Sequence, residues 1–316
     1  MPLRCFGIIA LLSVLIAGTA NAQSCNFAIT DINFGSVNLS VGGASTTSGT
    51  LTANCTGTPN STITICPNIG DGTGGSTAGN PRLLANGPRT VPYNFFQPSG
   101  QIWGSYVWPY APLPPVLSLL LNGSGTGALS QTINAQLTGT VALAPAGLYQ
   151  SVYSGAHTLI DYGYAPGQSC KVVSARATRA PFTVSALNNN SCNISATPMN
   201  FGSRTDLSAA QISSNQISIT CTNGVKYSVG LSNGSNGGTS PTNRFMSNAA
   251  TGQKISYGIF QNASLTQQWG LTAGADMISG TATGLTQVYN AYGQIPVQTT
   301  PTGGAYTDTV VITLNY

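Results

Sequence analysis

Along most of the chain, apolar and polar residues alternate in short runs that stop about every ten residues at Gly, Asn or Pro. Phe182, Val184 and Ala186 are separated by single residues, as are Val310, Ile312, Leu314 and Tyr316. A period of two puts each set on one face of an extended strand. No segment sustains the 3.6-residue period of a helix. Short, regularly punctuated runs of this kind predict an all-β sandwich protein.

Two stretches depart from the pattern. Arg4 precedes an apolar run over residues 5–17, and Ala20-Asn21-Ala22 supplies the small-x-small pattern of a processing site. That is a signal peptide over 1–22, too short and wrongly flanked for a membrane span. Cys5 opens the run, ahead of the processing site, so it cannot be a lipoprotein cysteine. The mature chain is expected to start near Gln23 and to be exported. The second stretch, 102–121, has prolines at 109, 112, 114 and 115, which exclude a central strand. Tyr106, Val107, Trp108, Tyr110 and Leu113 read as a stiff apolar loop. Exposed, it is an adhesion surface; folded back, it is extra core. Trp103 and Leu119–Leu121 are assigned to the core in both cases.

Composition narrows the class. Charged residues are 5% of the chain, against about 25% in ordinary domains. The polar fraction is mostly Ser, Thr, Asn and Gly, and the net charge of +4 falls to +3 without Arg4. The remaining Lys and Arg are scattered, with no basic stripe for nucleic acid. After processing, six cysteines remain: Cys25, Cys55, Cys66, Cys170, Cys192 and Cys221. An even count in an exported chain predicts disulfides. With one histidine, no C-x-x-C and dispersed Asp residues, neither zinc nor calcium is expected, and no cofactor.

The chain repeats itself. Ser24-Cys25-Asn26 with Asn33-Phe34-Gly35-Ser36 returns as Ser191-Cys192-Asn193 with Asn200-Phe201-Gly202-Ser203. A second cysteine follows 30 residues after Cys25 (55 − 25) and 29 after Cys192 (221 − 192). Arg82 matches Arg244, Tyr93 to Gln97 matches Tyr257 to Gln261, Trp103-Gly104 matches Trp269-Gly270, and Pro145 to Tyr149 matches Pro301 to Tyr306. The collinear series is a duplication, dividing the mature chain into domains at 23–189 and 190–316. Equivalence pairs Cys25 with Cys55 and Cys192 with Cys221, each loop worth about 3.6 kcal/mol in the chain-entropy model. Cys66 and Cys170 have no counterparts and are expected to pair, although four cysteines permit three pairings.

These motifs resemble spore coat protein U domains, the pilins of archaic chaperone–usher pili. Those motifs are Cys-Asn, Asn-Phe-Gly, a later Thr-Cys, Tyr-x-x-Phe-Gln, Trp-Gly and a closing Pro-x-Gly-x-Tyr strand. A two-domain member is similar to the tip subunit. The resemblance implies two immunoglobulin-like, pilin-type sandwiches, the second incomplete and needing a donor strand. Phe182, Val184 and Ala186 would complete the first domain in cis. Val310, Ile312, Leu314 and Tyr316 would border the second domain's acceptor groove. Cys25 stands two residues past the expected mature start, so the subunit is expected to receive a strand without giving one. The implied partners are a periplasmic chaperone, an outer-membrane usher, the next pilin and an abiotic or host surface. The implied setting is the pilus tip at the cell surface, with attachment and biofilm formation as the role.

Two other classes remain in view: a lectin-type tip stacking sugars on Trp108 and Tyr110, and a coat protein never handled by an usher. An enzyme is not expected. His157 with Asp161 and Ser154 superficially forms a triad, but 154 and 161 point to opposite faces of a strand. The glycine-rich 70–75 lacks the lysine and helix of a phosphate loop and reads as a flexible loop.

Overall fold

In a computed structural model, residues 23–39, 45–77, 81–105, 113–139, 141–164, 166–170, 173 and 176–316 are described. The signal segment, and Tyr106, Val107, Trp108 and Tyr110 of the apolar loop, lie outside them.

Alternation decides the strands. In β3 (Thr46–Thr56) Leu51, Ala53 and Cys55 face inward while hydroxyl and amide side chains alternate outward. The first half of the chain also forms β1 (Ser24–Ile29), β2 (Ile32–Val37), β4 (Thr62–Ile69), β5 (Arg82–Asn86) and β6 (Arg89–Phe96). It continues with β7 (Leu117–Leu120), β8 (Thr126–Leu137), β9 (Gly147–Tyr153), β10 (Thr158–Gly163), β11 (Arg176–Arg179) and β12 (Phe182–Asn188). These make an eight-stranded sheet, ordered β1-β3-β8-β6-β5-β9-β12-β2, facing a four-stranded sheet, β11-β10-β4-β7.

The second half forms β13 (Cys192–Ala196), β14 (Gln211–Cys221), β15 (Lys226–Leu231), β16 (Arg244–Ser247), β17 (Lys254–Phe260), β18 (Ile278–Thr281), β19 (Gln287–Ile295) and β20 (Ile312–Asn315). Its sheets run β13-β14-β19-β17-β16 and β18-β15-β20. The order repeats that of the first half: β1-β3-β8-β6-β5 is matched strand for strand, and β10-β4-β7 by β20-β15-β18. Each half has its own hydrophobic cluster. Between β12 and β13 there are three residues, tied by Asn38 Nδ2 donating to Ser191 Oγ at 2.8 Å.

The disulfides are Cys25–Cys55, Cys66–Cys170 and Cys192–Cys221. The first and third staple β1 to β3 and β13 to β14 at equivalent cross-strand pairs.

The repeated arginines have a packing reason. Arg82 and Arg244 are fully buried. Arg82 donates to the carbonyls of Gly70 (2.7 Å), Ile69 (2.7 Å) and Trp103 (2.9 Å). Arg244 donates to those of Ser232 (2.8 Å), Leu231 (3.2 Å) and Trp269 (2.7 Å). A guanidinium has five donors in a fixed fork, so one side chain ties its own strand to two other segments through three of their carbonyls. The indole N–H groups of Trp103 and Trp269 close the joint on Pro67 and Val229.

Three expectations are corrected. Residues 154 and 161, expected on one strand, are parted: β9 ends at Tyr153, a 3-10 turn covers Gly155–His157, and Asp161 lies in β10, in a different sheet. Leu119 and Leu121 are buried, but Leu120 between them is 66% exposed, because β7 alternates. The 70–75 glycine stretch is pinned rather than loose. Gly72 N–H donates to His157 Nδ1 at 3.2 Å, Thr73 N–H to Val152 O at 3.0 Å and Gly74 N–H to Ser151 Oγ at 3.1 Å. His157 therefore serves this loop, with Asp71 3.1 Å from its Nδ1. Asp161 instead accepts from Asn68 at 3.0 Å in the interior.

Candidate functional site

The two sandwiches differ at one place. In the first, β12 lies between β9, to which it is antiparallel, and β2, to which it is parallel. Its inward residues Phe182, Val184 and Ala186 are buried in the core cluster. Asn188 is buried as well; its amide donates to Ala144 O and Pro145 O, both at 3.1 Å, and accepts from Leu39 N–H at 3.3 Å.

In the second sandwich, the counterpart of β2 is the stretch 199–204 and that of β9 is 304–310. Among the described residues no strand lies between them. A groove of about 500 Å3 opens there, lined by Met199, Phe201, Met246, Tyr257, Val310 and Ile312 among others. A second hollow of about 650 Å3 shares Met199, Phe201 and Tyr306 and extends past Thr300 to Leu207. Burial follows the opening. Ile32, Leu84, Tyr149 and Tyr153 are sealed in the first sandwich, whereas their counterparts Met199, Met246, Tyr306 and Val310 are only partly covered. Three more apolar side chains buried here would contribute roughly 5–10 kcal/mol.

Hydrogen bonds within the chain brace the groove walls. Thr307 exchanges backbone hydrogen bonds with Ser247 at 2.9 and 3.0 Å. Next to it, the Asp308 carboxylate accepts from Ser235 N–H (2.9 Å), Asn236 Nδ2 (3.1 Å) and the Tyr257 hydroxyl (2.7 Å). Burial, and then this carboxylate, push the Tyr257 hydroxyl well above its usual pKa. On the other wall, Ser213 Oγ donates to Asn200 O at 2.6 Å. The ends match too. Gly147 and Gly304 have φ of 144° and 155°, and a Cβ on either would strike the side-chain amide of Asn86 or Asn248, respectively.

Of the residues expected at the groove, Val310 and Ile312 line it. Leu314 lies in β20, paired with Val229 in the smaller sheet, and Tyr316 is 60% exposed beside Lys226 and Tyr227. The groove is bordered by the segment 304–310 and by Ile312 at the start of β20, and Leu314 and Tyr316 lie beyond it. Met199, Phe201, Met246, Tyr306 and Asp308 were not singled out. Overlaying the repeat on Phe182–Asn188 would have found them. Of the apolar loop, Leu113 is 41% exposed, close in sequence to Val116 at 49%.

Residues 10–154 and 178–313 match the spore coat protein U domain. The chain belongs to the spore coat protein U domain family. No protein with a curated description matches it. Among solved structures, it is similar to a chain of the chaperone–tip adhesion subunit pre-assembly complex from archaic chaperone–usher Csu pili of Acinetobacter baumannii. Identity is 16% and the TM-score 0.55, over 93% of this chain and 100% of that one. A second similarity is to the CupB6 tip adhesin from Pseudomonas aeruginosa, at 14% identity and a TM-score of 0.41, over 94% and 95% of the two chains. The first of these structures shares this chain's fold, and the matched family and that structure are of structural and adhesion subunits, not of enzymes.

Proposed function

We propose that this chain is the tip subunit of a chaperone–usher pilus, receiving a donor strand in its second domain and attaching through its first. The supporting observation is the asymmetry between the copies: β12 fills the groove of the first, and the same groove in the second is open. An open sheet edge beside an apolar groove is a site for strand addition. A periplasmic chaperone occupies it first, an outer-membrane usher exchanges the chaperone, and the next pilin supplies the permanent strand. The subunit then stands at the cell surface on the pilus tip. The closed first domain is free to meet an abiotic or host surface through the apolar segment around Leu113, Val116 and Leu120, in support of biofilm formation.

The experiment is periplasmic expression of the full chain with and without a strand-lending chaperone. The expected result is aggregation or degradation alone and a soluble one-to-one complex with the chaperone. A monomer whose second sandwich unfolds cooperatively without chaperone or peptide would overturn the reading.

A further inference from the structure

The duplication places a filled groove and an open one in the same molecule, so β12 serves as a template for the missing occupant. We infer that the second groove selects a seven-residue strand with four inward side chains in a set order: a large aromatic, an aliphatic, a small residue, and a hydrogen-bond donor. This inference rests on the strand-acceptor reading above and adds the occupant's sequence class and direction.

Superposing the repeat sets the register. Phe182, Val184, Ala186 and Asn188 pair with Tyr153, Ser151, Tyr149 and Gly147. The matching positions are Val310, Asp308, Tyr306 and Gly304. The occupant therefore runs antiparallel to 304–310, with its first inward residue over Val310.

Each position has its own reason. Phe182 stacks flat on Tyr153, ring centroids 4.5 Å apart at 9°, and meets Phe95 at 5.9 Å. The counterparts Val310 and Ile259 lack rings, so the groove there has room for a side chain at least as large as phenylalanine. The second position lies beside Met199, the match of Ile32, which pairs with Val184. Ala186 stands opposite the Phe34–Gly35 step, where β12 shifts register against β2. That floor is duplicated: Phe34 meets Tyr93 at 6.3 Å and 79°, and Phe201 meets Tyr257 at 6.2 Å and 70°. Equal floors admit equal side chains, so the third position is small.

The fourth position is read by carbonyls. Pro145 O accepts from Tyr149 OH at 3.0 Å, and Thr302 O accepts from Tyr306 OH at 2.7 Å, which identifies Thr302 as the match of Pro145. The Asn188 amide donates to Ala144 O and Pro145 O, so its counterpart faces Pro301 O and Thr302 O. Leu207 N–H, the match of Leu39 N–H, already donates to Thr300 Oγ1 at 2.9 Å. The acceptor half of the amide is thus supplied by the chain, and only the donor half is required of the occupant.

The probe is a synthetic peptide with the sequence of residues 181–188, added while the full chain refolds with its disulfides intact. A version with a photoreactive phenylalanine analogue at position 182 locates it. The parent peptide should be retained on gel filtration and cross-link within 257–312. Ala186→Leu and Asn188→Leu peptides, and one of reversed sequence, should bind at least about tenfold more weakly, since overpacking and an unmet buried acceptor each cost that much. Equal binding of all four, cross-linked to the same residues, would overturn the inference while leaving strand acceptance standing. So would failure of the parent peptide where a chaperone still rescues the chain. Failure of every peptide on a chain that folds both sandwiches unaided would overturn both.

Discussion

Phe182 lies parallel to Tyr153 with ring centroids 4.5 Å apart, joining the last strand of the first sandwich to the edge it completes. Both rings are buried, and the Tyr153 hydroxyl meets that of Tyr93. Stacked aromatic pairs contribute beyond the area they bury. Phe182→Ala should therefore cost the first sandwich about 3–5 kcal/mol. A urea titration of the chaperone-bound full chain would show the transition of the first domain moving to lower denaturant. No movement would mean that β12 is not an integral strand there.

The tyrosine hydroxyls make stability sensitive to alkali. Burial, and then the Asp308 carboxylate, raise Tyr257 above the ordinary tyrosine value, and burial and Tyr153 raise Tyr93 well above it. An acid whose folded pKa is raised keeps its neutral form in the folded state and can lose its proton once unfolded. Its contribution is fully present below about pH 10 and is lost as pH rises from there through the folded value. The melting temperature should be level up to about pH 10 and then fall. Tyr257→Phe should flatten that fall and, by leaving Asp308 one donor short, lower stability near neutrality by about 1–3 kcal/mol. A fall of unchanged steepness in Tyr257→Phe would show that this hydroxyl does not titrate in that range.

Attachment is the third expectation. Replacing Val107, Trp108, Tyr110 and Leu113 with Ser should abolish adherence of piliated cells to apolar surfaces while leaving pilus number unchanged. Leu120→Ser, on an exposed position of β7, should weaken it partially. Electron microscopy counts the pili and a washed-surface assay reads adherence. Full adherence by the piliated quadruple variant would put the contact surface elsewhere.

Local periodicity and the internal repeat were enough to determine the all-β class, the duplication and the inward face of Phe182, Val184 and Ala186. A period of two is a property of the extended backbone itself, and cysteines in matching contexts carry their pairing with them. Partners across space were another matter. Alternation through Val310, Ile312 and Leu314 says which side chains share a face, not which sheet receives them. The chain bridges β16 at Thr307 and joins β15 only from Ile312 on, so Val310 borders the groove and Leu314 pairs with Val229. Only the tertiary structure could decide this, because the change of partner depends on what packs on each side. The same holds for Asp308, an exposed-looking polar residue that anchors the groove wall through Ser235, Asn236 and Tyr257, 51 to 73 residues away along the chain. It holds too for the glycine stretch 70–75, pinned by His157 and Ser151 from the other end of the domain. Such bonds join segments whose sequence neighbours do not announce them, and they exist only once the two sheets have closed on each other.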